Sequence, residues 1–140
     1  VEELRLVIAG AVFAIALAVA WGLNRNRRSA PPTRDRSLVP QQLDRADFPR
    51  PDAPWLVVLF TSTHCESCEG LVDKAAPLES ADVAVAEVEY TAHRDVHRRY
   101  RIEAAPITVV ADAHGVTHAS FVGAFDAAEL WAAVAALRES

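Results

Sequence analysis

Cys65 and Cys68 are the only two cysteines in a chain of 140 residues. They follow the apolar run at residues 55–60 directly, in the segment Thr61-Ser62-Thr63-His64-Cys65-Glu66-Ser67-Cys68. A short apolar run bounded by polar residues predicts a buried strand. A strand that passes into a helix through a Cys-x-x-Cys presents both thiols at the exposed edge of a sheet, the first of them at the helix N-terminus. There the unpaired backbone N–H groups and the positive end of the helix dipole stabilise a thiolate. The spacing therefore points to thiol–disulfide chemistry. Structural zinc or an iron–sulfur cluster normally takes four protein ligands in two such pairs, so one pair would need help from histidine or a second chain. Covalent haem attachment needs a histidine after the second cysteine, where Glu69 stands. An inert disulfide or idle thiols remain open, although nothing else in the sequence reads as a stapled scaffold.

The downstream half carries signals that do not depend on the cysteines. Residues 100–110 predict a helix end, a turn and a strand opening at Pro106. Asp112-Ala113-His114-Gly115 predicts a hairpin turn, and residues 116–121 a second strand. A last helix is expected from Asp126, with Glu129 three residues on as a capping-box partner and Leu130, Trp131, Val134 and Leu137 at helical spacing. The expected order is strand, redox helix, strand, helix, proline, hairpin, helix.

With its Cys-x-x-Cys at a strand-to-helix turn, Tyr100-x-Ile102-x-x-x-Pro106, and Phe121-Val122-Gly123 before the final helix, the chain resembles the thioredoxin family over about residues 38–140. The resemblance implies an α/β thioredoxin-like fold, a central mixed sheet flanked by helices. It implies that Cys65 and Cys68 are the catalytic pair and that Pro106 is a cis-proline facing them. Pro106 and the Ala105 backbone would line the groove where a partner strand pairs, with His64, Glu66 and Ser67 as neighbours. The expected partners are disulfide-containing protein substrates and an upstream disulfide reductase. No metal and no cofactor beyond the redox-active disulfide is expected.

This chain also departs from the family pattern. His64 stands where the family has a tryptophan, and Glu66-Ser67 replaces Gly-Pro between the cysteines. Leu59 replaces the buried aspartate six residues before the first cysteine, so the usual proton acceptor for the second thiol is missing. Glu87, nineteen residues before Pro106, falls about where the family places a buried lysine. It reads either as a partly buried carboxylate near Cys68 or as a solvated strand-end glutamate. The helix dipole and a protonated His64 would favour the Cys65 thiolate, whereas Glu66 and Glu69 would disfavour it. A poorly stabilised thiolate suits a reductant better than an oxidant. His64 is alternatively only an exposed rim residue. His93 and His97 share a helix face but read as surface residues of a short arginine-rich helix, with metal binding as the lesser alternative.

The N-terminus bears on location. Residues 6–23 carry no charge and no proline. A helix rises about 1.5 Å per residue, so a run of this length just spans the roughly 30 Å hydrocarbon layer. A single-pass membrane anchor is expected, flanked by residues 1–5, with a cleaved signal peptide as its rival because Ala18-Val19-Ala20 resembles a cleavage site. Arg25, Arg27, Arg28, Arg34 and Arg36 follow the apolar run and only Arg5 precedes it, which favours a cytoplasmic redox domain in the cell membrane; an extracytoplasmic domain is the alternative. Residues 24–37 are expected to form an extended Arg/Pro-rich tether before the 38–140 domain, whose first stretch, 38–48, would supply a strand and a short helix. Residues 1–54 hold eight basic and six acidic residues, and residues 55–140 hold six and thirteen. An acidic domain of this kind is a poor nucleic-acid binder.

Overall fold

The computed structural model describes residues 1–28 and 38–140. The chain divides into two units, residues 1–33 and 34–140. In the first, α1 (Glu2–Arg28) is a single helix. Its 2–21 stretch has a mean hydropathy of 2.3 and buries nothing within the protein, so by length and composition it is able to serve as a membrane span or a signal sequence. The helix runs past the expected boundary because residues 24–28 contain neither proline nor glycine, and arginine is a good helix former. The remainder of the expected tether, with Arg34 and Arg36, lies outside the described residues.

The second unit is built on four strands, β1 (Trp55–Thr61), β2 (Val83–Glu89), β3 (Ile107–Asp112) and β4 (Thr117–Val122), in the order β2-β1-β3-β4. β1 pairs parallel with β2 and antiparallel with β3, and β3 pairs antiparallel with β4 across a bulge at Val110/Ala111. The apolar run of β1 is thereby explained: a strand with neighbours on both edges and helices or loops on both faces has no solvent side. Leu56, Val58 and Phe60 pack with Ala86, Val109 and Leu43 on one face. Val57 and Leu59 pack on the other with Val110, with Leu71 and Ala75 of α2 (Leu71–Ala75), and with Leu130 and Val134 of α4 (Ala127–Glu139). The carboxylate of Glu129 accepts the Asp126 N–H at 3.3 Å, as the capping-box spacing predicts. Trp131 is not part of the buried stripe; it is 43% exposed, and its indole N–H donates to the Lys74 carbonyl at 2.7 Å.

Two expectations need correction. Residues 38–48 form no strand, only an isolated bridge between Gln42 and Val116 and one 3-10 turn at Arg45–Asp47. Pro40 has no N–H for a ladder, and the Asp44 side chain accepts the Ala46 N–H to start the turn. Buried Arg45 then ties this segment down by donating to the carbonyls of Ala53, Arg50 and Asp112. His97 is not on the surface. It lies on α3 (Arg94–Arg99), is 3% exposed, sits edge-on to Phe60 and Tyr90, and has Nε2 2.7 Å from the Val88 carbonyl. No metal-binding group of three or more ligands occurs among the described residues.

Candidate active site

β1 ends at Thr61, and the chain turns through Ser62-Thr63-His64 with the Cys65 N–H donating to the Ser62 carbonyl at 3.2 Å. Cys65 is extended (φ −109°, ψ 106°) and is followed by one 3-10 turn, Glu66–Cys68. Glu69 is extended again. Gly70 then adopts a left-handed conformation at φ 75° before α2 begins, a geometry that favours glycine. The expected redox helix is therefore broken. Cys65 precedes a single turn rather than a long helix, so no summed macrodipole stands behind its sulfur. That weakens one of the two influences expected to favour its thiolate.

Cys65 and Cys68 are joined by a disulfide, with their Cα atoms 5.3 Å apart, within the range that a disulfide spans. Cys65 is half-buried and Cys68 is 9% exposed, so an incoming group meets Cys65 first. The pair opens onto a concavity of about 460 Å³. His64 and Glu66 line it, as do Glu69 and Glu87. Ser67 is exposed beside the turn.

Glu87 combines features of both readings offered for it. It is exposed, yet it shares the concavity with both cysteines, and its Oε1 accepts the Thr61 hydroxyl at 2.7 Å. Its register partner is Leu59, which is fully buried, so apolar packing fills the position of the family's carboxylate and an acid stands one strand over. Glu89 also lines the concavity and was not among the residues singled out by spacing. It accepts the N–H groups of Thr63 and Ala92 at 3.3 and 3.0 Å. Hydrogen bonds, first from the Thr91 backbone, hold its carboxyl below the usual range. The signal for it was the alternation of β2, which puts residue 89 beside residue 87 at the strand end.

The Ala105–Pro106 peptide bond is cis. Because Phe60 pairs with Ile107, Pro106 stands one step beyond, at the end of the sheet where the chain turns toward the cysteines. Pro106 is buried and its carbonyl accepts the Gly123 N–H at 2.9 Å. Ala105 is half-exposed, and its N–H and carbonyl make no hydrogen bond among the described residues.

The thioredoxin family profile matches residues 48–136. Among solved structures, a thioredoxin from Fasciola hepatica is 22% identical with a TM-score of 0.51, over 61% of this chain and 83% of its own. The germline-specific thioredoxin Deadhead of Drosophila melanogaster is 24% identical with a TM-score of 0.53, over 62% and 84%. Both likenesses are likenesses of fold. No curated protein matches the chain. With the family profile spanning most of the described domain and a cysteine pair in disulfide linkage at its strand-to-helix turn, this chain belongs to the thioredoxin family and is a thiol–disulfide oxidoreductase.

Proposed function

We propose that the protein is a membrane-tethered reductant of protein disulfides, with the redox domain on the cytoplasmic side. The observation that carries the reducing direction is the setting of the disulfide: carboxylates line its concavity, and only a 3-10 turn follows Cys65. Negative charge disfavours a thiolate and a single turn does little to stabilise one, and a dithiol without a stabilised thiolate gives up its electrons readily. The Cys65 thiolate attacks one sulfur of a substrate disulfide. A Cys65–substrate disulfide forms, and the other substrate sulfur leaves as a thiolate that takes a proton from solvent. Cys68 then loses its proton to solvent and attacks the Cys65 sulfur. The substrate leaves as a second thiolate, and the Cys65–Cys68 disulfide seen here results. Two electrons pass from the dithiol to the substrate, and an upstream reductase must restore them. The free backbone groups of Ala105 beside Pro106 offer an edge for the substrate strand to pair with.

Glu66→Gln combined with Glu69→Gln removes two exposed charges beside the sulfurs and should move the equilibrium with glutathione toward the dithiol. The expected shift is a few-fold, because the charges are close but solvent-screened. An unchanged or opposite shift, read by alkylation and mass spectrometry across a series of glutathione ratios, would reject the electrostatic argument.

The tether and its direction rest on the apolar α1 and the arginines that follow it. A green fluorescent protein fused after Ser140 should fluoresce and an alkaline phosphatase fusion should be inactive. Replacing Arg25, Arg27 and Arg28 by neutral residues should weaken that preference. Strong phosphatase activity in the unaltered fusion would instead place the domain outside, as a reductant of cell-envelope disulfides.

A further inference from the structure

The carboxylates of the concavity beside the disulfide bear on more than the direction of exchange; they also bear on what approaches it. Asp47, Glu79, Asp82 and Asp112 each pair with an arginine or histidine at 2.6 to 3.1 Å. Glu66, Glu69, Glu87 and Glu89, which surround Cys65 and Cys68, have no cationic partner among the described residues. Two of the four are fixed in place, Glu87 by the Thr61 hydroxyl and Glu89 by backbone N–H groups. The N–H bonds to Glu89 also hold it ionised. The one lining group able to carry positive charge is His64.

Four like charges converging on an open concavity repel one another, and an occupant that brings positive charge relieves that repulsion. The disulfide fixes what kind of occupant this is: a polypeptide segment whose own disulfide must reach Cys65. The carboxylates do not create the site; they bias what enters it. Resting on the reductase reading above, we propose that Glu66, Glu69, Glu87 and Glu89 are specificity determinants that select substrate disulfides flanked by lysine or arginine. A segment with acidic flanks meets the same field with the opposite sign and is slowed at encounter. Because the effect acts through solvent, it acts chiefly on association and fades with salt.

The test uses the full chain in a non-ionic detergent, reduced beforehand and freed of reductant. Three synthetic peptides carry one common disulfide loop flanked by lysines, glutamines or glutamates. The second-order rate constant for oxidation of the protein by each peptide is divided by that for dithiothreitol, which removes the flanks' own influence on disulfide reactivity. At 20 mM salt the lysine peptide should exceed the glutamate peptide by at least about tenfold, with the glutamine peptide between them, and at 0.5 M salt by less than about twofold. In Glu66→Gln/Glu69→Gln the low-salt ratio should fall about threefold or more, and Glu87→Gln should lower it independently. Equal rates for the three peptides at low salt, or a ratio unchanged in both variants, would overturn the proposal while leaving disulfide reduction standing. Failure of every peptide to oxidise the protein would overturn the reductase reading, and this inference with it.

Discussion

Cys68→Ser should convert the protein from a turnover catalyst into a trap, with a mixed disulfide to Cys65 accumulating and multiple-turnover reduction falling by at least about a thousandfold. Cys65→Ser should form no adduct at all. The asymmetry follows from position. Cys65 is the half-buried residue that opens the turn, and Cys68 at 9% exposure faces inward, where it reaches Cys65 but not a bulky substrate. A serine hydroxyl at either position stays protonated and cannot exchange with a disulfide. In the reduced wild type, iodoacetamide at neutral pH should alkylate Cys65 first. Peptide mapping that finds Cys68 modified first, or adducts on Cys68 in Cys65→Ser, would reverse the assignment. The trapped adducts from Cys68→Ser would also identify the substrates by mass spectrometry.

Gly115→Ala should cost about 3 kcal/mol or more, lowering the unfolding midpoint by roughly 15 °C. Two causes add. Gly115 sits at φ +80°, where any side chain is strained, and a Cβ there would lie 1.9 Å from the Leu43 carbonyl oxygen. That oxygen belongs to backbone and cannot swing aside. The two residues are already joined, because the Leu43 N–H donates to the Gly115 carbonyl at 2.8 Å. The clash would lift Leu43, 2% exposed, out of the core together with the segment anchored by Arg45. Gly123→Ala separates the two causes, since its φ is +89° but nothing lies within 4 Å of the added carbon. Its cost should be the backbone strain alone, about 1 kcal/mol. Equal losses for the two variants in urea unfolding would show that the close approach to Leu43 carries no weight.

The order of elements from residue 55 onward could be read from the sequence because local chemistry and tertiary role agree there. The apolar run of β1 is buried on both faces, the Asp112-to-Gly115 turn closes a hairpin, and Asp126 with Glu129 opens α4. What could not be read depends on contacts made at a distance. Residues 38–48 have strand-like apolar positions at Val39 and Leu43, but their backbone groups go to side chains, to Gly115 and to Thr117 rather than into a ladder. His97 has the sequence surroundings of a surface histidine, and only the packing of α3 against Phe60 and the Val88 carbonyl places it inside. At the site, the cysteines and the proline declare themselves by spacing. The break at Gly70 does not, because glycine in a helical pattern signals a break only when the backbone takes a positive φ. The fourfold acidic wall was half visible: Glu66 and Glu69 adjoin the cysteines in sequence, but Glu87 and Glu89 reach them only through the parallel pairing of β1 with β2.

Reduction of protein disulfides by the Cys65–Cys68 pair is read out by insulin reduction with the full chain and dithiothreitol as electron source. Precipitation of the insulin B chain is expected at a rate at least about tenfold above dithiothreitol alone, and it should be abolished in Cys65→Ser. A wild-type rate no faster than dithiothreitol alone, or an acceleration that survives in Cys65→Ser, would contradict it.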